Sequence, residues 1–580
     1  MKNREIAKIF YEIAKFLEAE GVLFKPYAYQ KGALSLEALQ EDVGEIYRKG
    51  GMKALMDIPG IGKSLAEHIK EYILTGKIKE YEKLKKKLPI NLEELTKVEG
   101  VGPKKAKVLF EKLGIRNVKD LERAARLHKI APLFGFGEKT EKNILQAISF
   151  LKKSKGRFLL GEILPFAKEL VDQLRQLKEV EKISLAGSLR RMKETIGDVD
   201  ILVVSSNPER VMDFFVNLKG IEKVWGKGKT KTSVRVAQGF DIDLRIIPRQ
   251  SYGAALQYFT GNKEHNILTR KIALEKGLKL SEYGLFRGKK MIAGENEEDI
   301  YAALGLPWIP PELRENEGEI EAALNQSQGK GFGLPRLIDY KDIKGDLHCH
   351  SDWDGGVDSI DELVETAIKM GYEYLGIADH TKFLKIERGL DERALLKQHS
   401  EIQKINQSLK KRGVNFYVLH GCEANILNNG AIDIKDEVLR ELDYVIAGIH
   451  SSFKMSSKEM TERLIRAMKN PNVDIISHPT GRLINKRDEY QINLDKILKV
   501  AKETKTILEI NSFPERLDLR DVYVRRAKSE GVKMVINTDA HQKEQLSFIE
   551  YGIATARRGW AERDDIINVH PLEELRSYFK

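Results

Sequence analysis

Cysteine is nearly absent: Cys349 and Cys422 are the only two among 580 residues, too isolated to form a disulfide framework. Long apolar runs are missing as well, and no stretch approaches the roughly 20 residues that a membrane span needs. The first 20 residues carry a charge-rich amphipathic pattern, not the apolar core of a signal segment. These absences argue against a secreted disulfide scaffold and against a membrane partner, and a soluble cytoplasmic chain is expected. Most of the chain also lacks a charge bias. Net charge is +11, and residues 1–150 alone hold 29 Lys and Arg against 21 Asp and Glu, so most of the excess sits in the first quarter. A basic segment on a balanced remainder points to a polyanion, and the length calls for several domains.

What is present is more telling. Residues 187–200 read Gly-Ser-Leu-Arg-Arg-Met-Lys-Glu-Thr-Ile-Gly-Asp-Val-Asp, and the apolar run Ile-Leu-Val-Val follows. Asp198 and Asp200 stand two apart at the mouth of a predicted strand, so both point to one face. The Gly187-Ser188 turn with two arginines just upstream suits phosphate oxygens. A second strand-like run, Asp241-Ile-Asp243-Leu-Arg245, supplies a third acid, and spacing alone leaves Asp241 and Asp243 both open. Three carboxylates beside a phosphate turn describe a site for two divalent cations and an in-line phosphoryl displacement.

The basic quarter repeats one plan. Gly60-Ile-Gly62-Lys63-Ser64 and Gly100-Val-Gly102-Pro103-Lys104-Lys105 each follow an apolar helix end and open a new helix. Glycine permits positive φ, and the first amides of the next helix face outward toward a phosphate oxygen. Both segments resemble the helix-hairpin-helix module, which binds the DNA backbone without reading bases. A degenerate third copy lies at Gly135-Phe-Gly137. Gly60, Gly62, Lys63, Gly100, Gly102, Lys104 and Lys105 are the expected DNA contacts, with affinity that falls as salt rises.

With these motifs in order, residues 1 to about 318 resemble a family X DNA polymerase, similar to DNA polymerase beta. The family's palm motif matches Gly187-Ser188, Arg191 and Gly197-Asp198-Val-Asp200, and its third acid falls on Asp243. Tyr258-Phe259-Thr-Gly261 matches the segment lining the incoming sugar. Asn266 and Arg270 match positions at the nascent base pair and template strand, and Arg157 and Arg245 match two further arginines near the site. The resemblance implies nucleotidyl transfer with two Mg²⁺ ions. Asp198 and Asp200 would hold both, while Asp243 would hold one and help deprotonate the primer 3′-hydroxyl. Ser188 and Arg191 would grip the triphosphate of the dNTP, within a pocket that also includes Gly197, Arg157, Tyr258, Phe259, Gly261 and Asn266. Arg245 and Arg270 would face DNA. One position departs from the pattern. Where vertebrate relatives use a lysine to form a Schiff base with a 5′-deoxyribose phosphate, this chain has His68, and imidazole does not supply that amine. Lys63 and Lys70 are the possible substitutes.

Nine of the twelve histidines follow residue 341, most of them at the ends of short apolar runs separated by helical patterns. Asp346-Leu-His348-Cys-His350, Ala378-Asp-His380, Gly448-Ile-His450, Ile476-Ser-His478 and Asp539-Ala-His541 are the main cases, with Glu423 after a further run. Polar groups at strand C-terminal ends over about 240 residues argue for a β/α barrel and its catalytic face. Imidazoles with carboxylates suit Zn²⁺, Mn²⁺ or Fe²⁺. This half is similar to the PHP domain (polymerase and histidinol phosphatase). That resemblance implies up to three clustered ions, Mn²⁺ or Zn²⁺. The first would lie among His348, His350, Glu423 and Asp539; the second would share Glu423 with His450 and His478; the third would use His380, His541 and an acid. The motif that supplies this acid is displaced by one residue here, which makes Asp354 the choice, with Asp358 and Asp352 as alternatives.

The expected architecture is multidomain α/β. It has a helical region at 1–80 with the first hairpin, a second hairpin domain at 81–152 and a nucleotidyltransferase-type α+β palm at 153–248. A nascent-base-pair domain at 249–318, a linker at 319–340 and a distorted β/α barrel at 341–580 follow. The expected function is repair gap filling on nicked or gapped double-stranded DNA by a monomer of bacterial or archaeal origin, associated with the nucleoid. The barrel would add 3′→5′ exonuclease, 3′-end processing or abasic-site cleavage. The alternatives are a polymerase with a purely structural barrel, or chiefly a metal-dependent DNA phosphoesterase.

Overall fold

The computed structural model describes all residues except 1, 23, 38, 40, 59, 97, 99–100 and 155–156, so Gly100 lies outside the described residues. The chain groups into two units. The first comprises Met1–Arg157, Val171–Gly187 and Gly197–Trp308, and the second Phe158–Leu170, Ser188–Ile196 and Ile309–Lys580.

In the first unit the basic quarter is helical. The helix Lys63–Thr75 starts at an N-cap Gly62, and Pro103–Leu113 starts at an N-cap Gly102. Pro103 occupies the first turn, where a missing N–H leaves no bond unmade. Ile61, Leu65 and Ile69 of one segment, with Val101, Ala106 and Leu109 of the other, are buried in a shared core. Their spacing turns the lysines outward.

The palm is a five-stranded sheet. Its strands are β1 (Val180–Leu185), β2 (Asp198–Ser205), β3 (Ile221–Lys227), β4 (Lys231–Val236) and β5 (Asp241–Ile246), in the order β1-β2-β5-β4-β3. Only β2 and β5 run parallel. That pairing sets Asp198 opposite Asp241 and Asp200 opposite Asp243. Val199, Ile242 and Leu244 alternate with the acids and are buried, which fixes the register because a slip of one residue would bury the carboxylates.

In the second unit β6 (Gly345–Cys349), β7 (Tyr374–Ile377) and β8 (Tyr417–His420) form one parallel sheet. A second parallel sheet holds β9 (Glu423–Asn425), β10 (Ile446–Gly448), β11 (Ile475–Ile476), β12 (Ile507–Asn511) and β13 (Met534–Asn537). Bridges at His380–Glu423 and Cys349–Ala540 join the two sheets into a ring. Helices such as Ile360–Lys369 and Leu494–Thr504 lie between consecutive strands. The barrel strands are buried on both faces, and the distorted barrel stands as expected.

Two features differ from the sequence reading. Residues 319–340 are not a bare connector: Glu319–Gln328 is a helix that buries Ile320, Ala322 and Ala323. Farther on, the Ile338 amide donates to the Ala561 carbonyl at 3.1 Å. The residues 158–170 and 188–196, which the sequence places inside the palm, group with the barrel. Among the described residues no helix is long and apolar enough to cross a membrane.

Candidate active sites

The candidate synthetic centre is built on β2 and β5. Asp198, Asp200, Asp241 and Asp243 share one face, because their apolar neighbours take the other. Asp241 is already engaged: Arg235 donates to it through two nitrogens at 2.8 and 2.7 Å, and Trp225 Nε1 donates at 2.9 Å. Asp243 accepts from Ser233 Oγ at 2.5 Å and lies 2.6 Å from Lys231 Nζ, both of them flexible, partly exposed partners. Arg245 Nη2 lies a further 3.5 Å from Asp243, so both acids of the Asp-x-Asp pair have cross-strand partners, Asp241 a bidentate arginine and Asp243 a hydroxyl and a lysine. Gly187 has φ +63, and a Cβ there would sit 2.8 Å from Asp200 Oδ2, so this position requires glycine. Behind the acids, the Arg245 guanidinium lies 4.4 Å from the Phe259 ring centre, and Tyr258 meets Phe259 edge-on at 5.1 Å. Asn266 is buried, donates to the Tyr258 carbonyl at 2.7 Å and accepts from Gln257; Arg270 donates to the Asn266 carbonyl at 3.0 Å. Asn266 therefore buttresses the Tyr258-Phe259 corner. In the second unit, Arg191 Nε lies 2.7 Å from Glu315.

Burial, then the charges of Asp198 and Asp243, pushes Asp200 up to about 7; burial, then Asp243 and Asp241, raises Asp198. Carboxyls this reluctant to ionise fit a site completed by cations, and they cost stability when empty. A carboxyl with a raised folded-state pKa binds its proton more tightly in the native protein, so stability falls as pH rises from about 4 to about 7 and stays lowered above that. Asp200→Asn should therefore stabilise the metal-free protein by about 1 kcal/mol at pH 8, after screening, and not at all at pH 4. Thermal melts in chelator at the two pH values check this, and a variant less stable at pH 8 contradicts it.

The candidate hydrolytic centre lies mostly at the C-terminal ends of the barrel strands. Glu423, buried at the start of β9, is ringed by five imidazole Nε2 atoms: His478 at 2.9 Å, His380 at 3.1 Å, His450 at 3.3 Å, His348 at 3.5 Å and His350 at 3.9 Å. Asp539 Oδ1 lies 3.3 Å from His350, and 3.8 Å from both His348 and His541. Ligand atoms of His348, His350 and Asp539 converge, as do those of His380, Glu423 and His450, and those of His350, His380 and His541. The Nε2 atoms of His348, His350 and His450 and the Nδ1 of His478 are buried without a hydrogen-bond partner among the described residues. Unpartnered imidazole nitrogens beside buried carboxylates fit divalent metal ions. Although burial opposes it, His348 is raised well above the usual histidine range by Glu509, Glu423 and Asp539, while burial pushes His450 down to about 4.

Of the three acids considered for the displaced motif, only Asp354 touches the histidines. Its Oδ2 lies 2.8 Å from Nδ1 of both His350 and His380, whereas Asp358 pairs with Lys543 at 2.9 Å and Asp352 is exposed. Sequence reasoning missed Glu509. Its carboxylate takes the Nδ1 hydrogen of His348 at 2.7 Å and the His478 amide at 2.7 Å, holding two candidate ligands at once. An acid inside the apolar strand Ile-Leu-Glu509-Ile was the signal available. Asp379 was also overlooked; it fixes Ser351 through its amide and hydroxyl, each at 2.6 Å.

At the hairpins, Gly60 has φ +84, and Lys63 and Lys104 are exposed beside the helix starts. His68 is partly buried and stacks on Tyr29 with ring centres 6.0 Å apart.

Family comparisons agree with this division of labour. A helix-hairpin-helix domain matches residues 1–78, a SAM-like helix-hairpin-helix tandem 92–149, the DNA polymerase beta thumb 255–315 and the PHP domain 346–513. The "DNA polymerase/3'-5' exonuclease PolX" of Bacillus subtilis (strain 168) is 39% identical over 588 residues, covering 100% of both chains. DNA polymerase lambda of Arabidopsis thaliana is 25% identical over 351 residues, covering 54% of this chain and 62% of its own. A "Probable phosphatase" of Caldicellulosiruptor bescii is 31% identical over 218 residues, covering 36% of this chain and 84% of its own. The chain belongs to the family X DNA polymerases that carry helix-hairpin-helix and PHP domains.

Proposed function

We propose that this enzyme fills short gaps in double-stranded DNA with dNTPs and trims 3′ ends with its barrel, working as a monomer in the cytoplasm on nucleoid DNA. The observation that carries the reading is the coexistence, in one chain, of an acid cluster on β2 and β5 with a separate imidazole–carboxylate cluster in the barrel. The functional limits follow as 1–152 for DNA binding, 153–318 for synthesis and 341–580 for hydrolysis.

In synthesis, Asp198, Asp200 and Asp243 would hold two Mg²⁺ ions, which acidify the primer 3′-hydroxyl and offset charge on the pyrophosphate. A carboxylate oxygen of Asp243 receives the proton of that hydroxyl as its oxygen bonds to the α-phosphorus and the bond to pyrophosphate breaks. Ser188 and Arg191 bind the β- and γ-phosphate oxygens and stabilise the leaving group. Tyr258 and Phe259, braced by Asn266, line the sugar. In hydrolysis, His348, His350, His380, His450, His478, His541, Glu423, Asp539 and Asp354 would hold up to three Mn²⁺ or Zn²⁺ ions, whose role is to generate the nucleophile and polarise the phosphodiester. Glu509 keeps the Nδ1 hydrogen on His348, so that its Nε2 lone pair faces the cluster. The hydrolytic outcomes consistent with this site are 3′→5′ removal of nucleotides, 3′-phosphate removal and abasic-site cleavage.

The test is a labelled primer on a one-nucleotide gap. With Mg²⁺ and dNTPs the wild-type enzyme should extend it by one residue, and with Mn²⁺ and no dNTP it should shorten it. Failure to incorporate any dNTP overturns the synthetic reading.

A further inference from the structure

Residues 188–196 belong by sequence to the palm, yet they group with the barrel unit. Four consecutive residues of this turn each meet a partner from the chain beyond residue 309. Arg191 Nε lies 2.7 Å from Glu315 Oε1. The Met192 carbonyl accepts a hydrogen bond from Arg558. Lys193 Nζ lies 3.6 Å from Glu315 and 3.9 Å from Asp521. Glu194 Oε2 accepts from Arg482 Nη2 at 2.8 Å.

The two barrel arginines are built in, not draped over the surface. Arg482 is 7% and Arg558 4% exposed. Arg482 also donates to the Leu517 carbonyl at 2.5 Å, and Arg558 donates to Asp521 at 2.9 Å and to Thr555 Oγ1 at 3.2 Å. Guanidinium groups are confined to this depth only when every charge has a partner. Met192 itself has φ +53, a left-handed conformation that costs on the order of 1 kcal/mol for a residue with a side chain. Such backbone persists where its surroundings over-determine it, and the Arg558 bond to the Met192 carbonyl is one such restraint.

We infer that Arg482 and Arg558 are positioning residues for DNA synthesis: from the barrel, they hold the Ser188–Glu194 segment, a short helix (Gly187–Arg190) and the turn after it, in the shape that presents Ser188 and Arg191 to the triphosphate of an incoming dNTP. The inference rests on the proposed role of Ser188 and Arg191. It also gives the barrel a function in synthesis that is independent of its hydrolytic cluster. Removing either arginine takes its partner from the partly buried Glu194 carboxylate or from the Met192 carbonyl, and the segment relaxes. A shift of about 1 Å in a group that orients a substrate can cost up to ~100-fold in rate.

The experiment uses the full-length enzyme and single-nucleotide incorporation on gapped DNA, with nucleotide removal in Mn²⁺ measured in parallel. Glu194→Gln, Arg482→Met and Arg558→Met should each raise the dNTP KM by about tenfold, with a smaller fall in kcat. Affinity for gapped DNA and nucleotide removal should stay unchanged. Arg482→Lys, which keeps the charge, should retain most of the dNTP affinity. If an arginine variant fails to fold, losing nucleotide removal as well, Glu194→Gln decides the matter, since that side chain lies on the turn and is a quarter exposed. Unchanged dNTP kinetics in Glu194→Gln overturn the inference. Arg191→Ala separates the two levels: if it too leaves dNTP kinetics unchanged, the reading of Ser188 and Arg191 fails; if it alone weakens dNTP use, only the barrel's positioning role fails.

Discussion

Asp243→Ala should abolish DNA synthesis, lowering the incorporation rate by roughly 10³-fold or more, while leaving nucleotide removal by the barrel at its wild-type level. The size follows from losing both a metal ligand and the proton acceptor on one carboxylate, together about 4 kcal/mol or more of transition-state stabilisation. No neighbour can substitute. Asp241 stands two residues away on the same face, but Arg235 and Trp225 hold it with three hydrogen bonds. Asp241→Asn provides the contrast and should retain synthesis. Single-turnover incorporation on a gapped substrate reads both variants, and robust extension by Asp243→Ala removes the acid cluster from the mechanism.

Glu423→Gln should produce the mirror image, with nucleotide removal down roughly 10³-fold and synthesis intact. This carboxylate is buried among five imidazoles at 2.9 to 3.9 Å, and its two oxygens reach the Nε2 atoms of both the His348–His350 side and the His450–His478 side. Although burial opposes it, His450 and His348 hold its carboxyl well below the usual range. Replacing it leaves several buried imidazoles without their shared counter-charge, which costs the barrel stability unless they lose their protons. Metal content of the purified variant therefore accompanies the rate. The expected protein holds fewer ions and still extends primers. A variant with full metal content and full nucleotide removal would exclude Glu423 from the hydrolytic centre.

Much of both centres was legible in the chain because the chemistry sits in short local patterns. Gly-Asp198-Val-Asp200 before an apolar run specifies two acids on one strand face, since period two is a property of extended backbone. The histidines could be grouped because each ends an apolar run, and in a parallel barrel all strand ends meet at one rim. Glu509 escaped notice because its role depends on contacts with His348 and His478, which are 161 and 31 residues away in sequence. The helix at Glu319–Gln328 escaped because the polar, glycine-rich composition of the segment after it outweighed one apolar face.

The sequence by itself determined which residue types could perform two kinds of phosphoryl chemistry, where basic hairpins would meet DNA, and that strands and helices would alternate after residue 341. Local geometry suffices for these, because helix and strand periods place neighbours without help from distant chain. Only the tertiary structure showed that Asp241 is held by Arg235 and Trp225 while Asp243 meets Ser233 and Lys231. Likewise it decided that Asp354 reaches His350 and His380, and that Arg191 through Glu194 are held by Glu315, Arg482, Asp521 and Arg558. Apart from the local Asp354–His350 contact, each of those outcomes depends on cross-strand register or on groups tens to hundreds of residues apart, and side-chain spacing along the chain carries no information about either.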